Sequence, residues 1–187
     1  MTDKQTRGRY TLLLISAIFF APIFLAMYLY FSDNPWRPSE STQRGELLTP
    51  PIELPAEEMP AVGQNYKFRE VWSLIVLAGE QCDALCMTTL ENIRQIRLSL
   101  GPKMTRLQTV FLPASPAAAP DPAEFPKLIV AEPESAERVQ LQVGEWKNGQ
   151  IFLVDPLGNL MMSYAPGTDM ADIRSDLKHL FKLSGIG

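Results

Sequence analysis

The sequence predicts an α/β domain of three layers, with helices on both sides of a mixed sheet, preceded by one membrane-spanning helix. Three observations carry this reading. Residues 10–31 hold no charged side chain; residues 71–112 read as strand, helix and strand; and a Pro/Gly-turn hairpin precedes a final amphipathic helix. Composition agrees: of 187 residues 46% are apolar and 20% charged, with a formal net charge of −4, a globular balance rather than a disordered one. Seventeen basic residues stand against 21 acidic ones without a recurring Lys/Arg cluster, which argues against a nucleic-acid partner. The single His excludes a site needing several imidazoles, and two Cys exclude a Cys-rich zinc module or a disulfide-dense scaffold.

The uncharged run reads YTLLLISAIFFAPIFLAMYLYF over 10–31, and a helix of that length covers ~33 Å, enough for the hydrocarbon core of a bilayer. A cleaved signal peptide has a shorter apolar region of ~7–15 residues and ends at small residues, whereas this run ends Ala-Met-Tyr-Leu-Tyr-Phe. Tyr28, Tyr30 and Phe31 suit the aromatic belt of an interface, and Pro22 is expected to kink the span without abolishing it. Lys4, Arg7 and Arg9 crowd the short N-terminal side, while Arg37 and Arg44 follow the span. The positive-inside rule therefore places residues 1–9 in the cytoplasm and everything after residue 32 in the periplasm, behind a single pass of the inner membrane.

Residues 32–64 carry Pro35, Pro38, Pro50, Pro51, Pro55 and Pro60 without sustained periodicity, so they are expected to form a tether. Leu47, Leu48, Ile52 and Leu54 are apolar enough for part of it to cover an edge of the domain, and Trp36 is placed to anchor at the interface. The domain is expected over 65–187. Residues 71–78, VWSLIVLA, read as a buried strand. After Gly79 the pair Cys82 and Cys86 opens a helix in which Cys86, Leu90, Ile93, Ile96 and Leu100 keep the helical period, and Gly101-Pro102 stops it. Residues 107–112, LQTVFL, form the next strand, parallel to the first by the right-handed crossover rule.

The stretch PASPAAAPDPAEFP that follows is an insertion loop, since its prolines forbid regular structure. Residues 127–130 suit a short strand, and 138–143 alternate too weakly to assign. Residues 151–154 and 159–164 flank Asp155-Pro156-Leu157-Gly158 as a hairpin. Asp169 caps a last helix whose Ile173, Leu177, Leu180 and Phe181 form one stripe. This order of elements is the skeleton of a thioredoxin-like fold.

Cys82 and Cys86 are four residues apart. Two helical positions at that spacing hold Cβ atoms ~5–6 Å apart, wider than the ~3.8 Å of a disulfide, so Cys82 is expected in the loop or first turn. There the helix N-terminus stabilises a thiolate, which is both a nucleophile in disulfide exchange and a soft ligand for copper. Three readings stay open: a redox pair, a metal-binding pair, and a structural disulfide. Glu80 and Asp83 beside the thiols oppose the helix dipole. Met161 and Met162 lie on alternate faces of a strand and read as core, and Trp72 and Trp146 as core or edge packing. His179 falls about 200° around the last helix from Leu177, away from its apolar stripe. Nothing resembles a Ser/His/Asp arrangement, a phosphate loop or paired catalytic carboxylates.

On these residues the chain resembles the Sco/SenC family of membrane-anchored, thioredoxin-fold proteins. The resemblance rests on the N-terminal span, the C-x-x-x-C pair of Cys82 and Cys86 after the first core strand, and the segment IFLVDPLG over 151–158. It implies a role in assembling the copper centre of cytochrome c oxidase, with an oxidase subunit or another assembly factor as partner. In that family two cysteines and a later His bind copper, and a Pro follows the second Cys. Here Met87 stands after Cys86, and residues 145–148 read Glu-Trp-Lys-Asn without a His. The implied site is therefore Cys82 and Cys86 for cuprous copper, with Met87 as the nearest candidate third ligand and no other cofactor. The alternatives are a general thiol–disulfide oxidoreductase, with Cys82 attacking and Cys86 resolving, and a non-catalytic interaction module held by a structural disulfide.

Overall fold

The computed structural model describes residues 3–31 and 43–186, which fall into the units Met1–Thr42 and Gln43–Gly187. The first unit is the helix α1 (Asp3–Phe31), with Pro22 inside it. Its Arg7–Phe31 segment is long and apolar enough to cross a membrane. Leu14, Ile18, Phe19 and Phe24 are all exposed on it, the pattern of a helix whose apolar surface is left for lipid. Trp36, expected at the interface, lies outside the described residues, as do Pro35 and Pro38.

The second unit runs β1 (Glu46–Glu53), β2 (Met59–Ala61), β3 (Gln64–Tyr66), β4 (Trp72–Ala78), α2 (Ala84–Ser99), β5 (Leu107–Pro113), β6 (Leu128–Val130), α3 (Pro133–Val143), β7 (Gln150–Val154), β8 (Asn159–Tyr164) and α4 (Met170–Leu183). Six strands form one sheet in the order β1-β8-β7-β4-β5-β6, and β2 and β3 form a separate hairpin. β4, β5 and β6 are parallel, whereas β7 returns antiparallel to β4 and continues into β8. The sheet is mixed and thioredoxin-like, as the sequence predicts.

β4 lies at the centre because every one of its residues is buried, and its side chains alternate between two cores. Trp72, Leu74, Val76 and Ala78 face α2 and α4, joining Leu90, Ile93, Ile96, Ile173, Leu177 and Phe181. Ile75 and Leu77 face the opposite side, joining Ala136 and Val139 of α3 and Met59, Tyr66 and Phe68 around the hairpin. Trp72 packs its ring 5.7 Å from that of Phe181. Trp146 and Met161 are half-buried against opposite cores, and Met162 is buried.

Two assignments need correction. The folded unit begins at Gln43 and not at 65, because much of the expected tether belongs to it: β1 pairs antiparallel with β8, and Leu54 is buried. The Thr49-Pro50-Pro51 segment is tolerated because β1 is an edge strand, where the register shifts between Leu47 and Ile52. The unassigned 138–143 stretch belongs to α3, which starts on Pro133 and ends at Gly144 with φ 78°, the usual placement of Pro and Gly at helix ends.

A buried carboxylate ties the first residues of this unit to its last helix. Asp176 of α4 accepts the backbone N–H groups of Arg44 and Gly45 and the hydroxyl of Tyr164, at 3.0–3.1 Å. Gly45 fits there because an added Cβ would lie 2.5 Å from the Tyr164 ring. Burial first, and then the neighbouring Asp176 charge, push the Tyr164 hydroxyl well above the ordinary tyrosine range.

Candidate functional site: the Cys82–Cys86 disulfide

The site is built where β4 leaves the sheet. Gly79 and the residues after it form a short loop, Asp83 caps α2, and Cys82 sits in the loop just before that cap. Asp83 is extended, and its Oδ1 accepts the N–H of Cys86 at 2.8 Å, satisfying a donor that the first helical turn cannot satisfy itself. The carboxylate that the sequence suggests only as an electrostatic neighbour of the thiols is therefore also the cap that orients the Cys86 backbone.

Cys82 and Cys86 are joined as a disulfide with Cα atoms 5.2 Å apart. The loop position expected for Cys82 brings the sulfurs together where two helical positions would not. The pair is asymmetric: Cys82 is half-buried and Cys86 is 0% exposed. Met87 is half-buried and packs against the α2–α4 core, as Cys82 does. His179 is exposed on α4. Among the described residues no three His, Cys, Asp or Glu side chains group as a metal site.

The loop before β7 closes on the same end of the sheet. Gly149, at φ 78°, is so close that an added Cβ would lie 3.1 Å from Cys86 Cα, and its N–H donates to the Leu77 carbonyl at 2.9 Å. Asn148 reaches across to the loop in front of Cys82: its Oδ1 accepts the N–H of Gly79 and its Nδ2 donates to the carbonyl of Gln81, each at 3.2 Å. The sequence marks residues 145–148 by their lack of a His and assigns Asn148 and Gly149 no role of their own. The Asn-Gly pair, a dipeptide that favours positive φ immediately before a strand, was the available signal.

Two clefts flank this arrangement. One, of about 560 Å³, runs from Glu145, Trp146 and Lys147 to Tyr164, Ala165 and Thr168, and Leu85 of α2 reaches the neighbouring Gly167. The other, of about 190 Å³, lies farther along α2 between Leu90, Ile93 and Leu98 and the Phe125–Leu128 segment, with Thr109 and Lys127 also in its lining. Cys82 is the more reachable of the two sulfurs, and Cys86 lies in the first turn of α2.

A parallel β4–α2–β5 unit, an antiparallel β7–β8 return and a disulfide at the α2 N-terminus define a protein of the thioredoxin-like class. The chain belongs to the transmembrane-like, thioredoxin-like family: that family's C-terminal domain matches residues 72–184, and its transmembrane-like N-terminal domain matches residues 2–33. No curated protein matches the sequence. Among solved structures, apo Sco1 from Thermus thermophilus superposes with a TM-score of 0.59 at 20% identity, over 76% of this chain and 99% of that one. Bradyrhizobium japonicum ScoI with copper bound gives 0.52 at 18% identity, over 68% and 98%. BsSco, described as a Sco-family cytochrome c oxidase assembly protein with a disulfide switch, gives 0.55 at 14% identity, over 72% and 96%. At these identities the likeness is one of fold, and the Sco/SenC-like architecture expected from the sequence is the one observed.

Proposed function

We propose that this chain is a membrane-tethered accessory protein of respiratory cytochrome c oxidase assembly, with its folded unit on the periplasmic side of the inner membrane, acting through Cys82 and Cys86 in redox maintenance or copper delivery. The observation that carries the reading is the closable cysteine pair at the α2 N-terminus of a Sco-like sheet. In the redox role Cys82 is attacked and Cys86 leaves, then resolves the mixed disulfide on the return. The anchor keeps this chemistry near membrane-embedded clients, an oxidase subunit or another assembly factor.

In the copper role the disulfide is first reduced by two electrons, giving two thiolates. They suit cuprous copper, and the Met87 thioether adjoining Cys86 is a third soft donor; cupric copper prefers nitrogen or oxygen ligands that this donor set lacks. Anaerobic titration of the reduced chain with each ion tests this. Wild type is expected to bind cuprous copper, Cys82→Ser and Cys86→Ser to lose it, and Met87→Leu to weaken it several-fold. Copper binding that survives both serine substitutions, or none by the reduced wild type, discards the metal role.

A general thiol–disulfide oxidoreductase is favoured as the second reading by the contrast between half-buried Cys82 and fully buried Cys86. A reduction potential below about −300 mV would instead mark a structural bond and leave an interaction module.

A further inference from the structure

Between the end of β4 and Cys82 the chain has few ties of its own. The Ala78 carbonyl accepts the N–H of Ala114 at 2.9 Å and the Gln140 side-chain amide at 3.3 Å, which fixes the last residue of the strand. Beyond it the bonds at Gly79 N–H and at the Gln81 carbonyl are both made by the one side chain of Asn148. The partners also fix which way the amide points, since a backbone N–H requires an oxygen and a backbone carbonyl requires an NH₂ group. The Gln81 carbonyl belongs to the peptide plane that carries the Cys82 nitrogen. Asn148 thus grips both ends of the tripeptide that leads to Cys82, from a half-buried position next to Gly149, whose own backbone is pressed against Cys86.

We propose that Asn148 is a positioning residue for Cys82, holding the reduced thiol within closing distance of Cys86 through its two bonds to the 79–81 loop. This rests on the thiol–disulfide reading of the pair. In the oxidised protein the S–S bond already restrains the loop, so the two Asn148 bonds form at little further cost in chain freedom and stabilise this form most. In the reduced protein the same two bonds limit how far the loop swings, and the cost of re-forming the S–S bond falls because less chain freedom remains to be lost.

The exchange to be followed is complete in atoms and electrons. A glutathione thiolate attacks Cys82 Sγ, breaking the S–S bond and releasing the Cys86 thiolate, which takes a proton. A second glutathione thiolate attacks the glutathione sulfur of the mixed disulfide, releasing the Cys82 thiolate and glutathione disulfide. Two electrons pass from two glutathiones to the pair. In the reverse direction Cys86 attacks the mixed disulfide at Cys82, and this closing step is the one that Asn148 assists.

The test equilibrates the detergent-solubilised full chain anaerobically with glutathione buffers, traps thiols by alkylation and reads the oxidised fraction by mass. Asn148→Ala is expected to move the equilibrium about tenfold toward the reduced pair, a potential about 30 mV higher, and to slow closure of the mixed disulfide. Asn148→Asp has nearly the same shape and still accepts from Gly79, but cannot donate to the Gln81 carbonyl; it is expected to shift the equilibrium in the same direction. Melting curves of the oxidised and reduced forms complete the comparison. An unshifted exchange constant in Asn148→Ala, with both forms destabilised equally, would make Asn148 merely structural and overturn the proposal, as would a wild-type constant in Asn148→Asp. Failure of the wild type to exchange at any glutathione ratio overturns the thiol–disulfide reading itself, an outcome distinct from exchange that is indifferent to Asn148.

Discussion

Replacing Gly149 by Ala measures how tightly the loop before β7 closes on the cysteine pair. Two penalties add at this position. A Cβ at φ 78° strains the backbone by about 1–2 kcal/mol. The same Cβ would lie 3.1 Å from Cys86 Cα and 3.5 Å from its Cβ and N; these are backbone and near-backbone atoms that cannot rotate aside, so the loop or the first turn of α2 has to move, at a cost of about 1–3 kcal/mol. Gly63 in the β2–β3 turn separates the two effects, because its φ is 76° and nothing lies within 4 Å of an added Cβ. With about 2–4 °C lost per kcal/mol in a domain of this size, the summed penalty of about 2–5 kcal/mol is expected to make Gly149→Ala melt about 4–20 °C below wild type, against about 2–8 °C for the roughly 1–2 kcal/mol at Gly63→Ala. Calorimetry of the oxidised unit from Gln43 onward, which has its own two-sided core, gives both numbers. Equal losses would show that the Gly149 approach to Cys86 is loose, and the reasoning about loop closure would be wrong.

Asp176→Ala leaves the Arg44 and Gly45 N–H groups and the Tyr164 hydroxyl without their acceptor; a loss of about 2–4 kcal/mol is expected, with limited proteolysis cutting first within 43–53, and an unchanged cleavage pattern would refute the latch. Tyr66 and Tyr164 are both held above the ordinary tyrosine range, burial being the leading cause, so the folded state keeps protons that the unfolded state releases. Their stabilisation is present in full below about pH 10 and falls above it by about 1.4 kcal/mol per pH unit for each; stability that stays flat from pH 9 to 11 would contradict this. Alkaline phosphatase fused after the last residue is expected to be active and membrane-bound, and an inactive fusion would reverse the assigned topology.

The parts legible in the sequence are those whose side chains repeat within one element. The uncharged run gave α1, the continuous apolar stretch gave β4, and the stripes through Leu90, Ile93 and Ile96 and through Ile173 and Leu177 gave α2 and α4. β1 was legible only as an apolar segment able to cover an edge, not as a strand, because its partner β8 is far away in sequence and Pro50 and Pro51 are acceptable only at an edge. β2 and β3 have three residues each, too few to show a period. α3 was left unassigned because its apolar pattern is weak, and its only sharp signals are at its ends, Pro133 and Gly144. At the site, the cysteine spacing revealed Cys82 and Cys86, but Asn148 and Gly149 act through tertiary hydrogen bonding and close approach; their Asn-Gly dipeptide signals a turn and not what that turn touches.

On the proposed reading, redox and copper chemistry would compete for the same two sulfurs, and that competition is itself measurable. Oxidation removes both thiolates, so on that reading cuprous copper would bind only the reduced pair, and binding would stabilise that form by the ordinary mass-action term. Free cuprous copper at 100 times its dissociation constant adds about 2.7 kcal/mol to the reduced state, which raises the apparent reduction potential by about 60 mV. Repeating the redox titration with cuprous copper held at fixed activity by a chelator is expected to show that rise, with the slope set by one ion per dithiol. Cys82→Ser is expected to abolish it together with the disulfide. A potential that ignores copper would separate the two chemistries and leave exchange alone, because exchange requires only one reachable sulfur and one shielded partner, an asymmetry already present in Cys82 and Cys86.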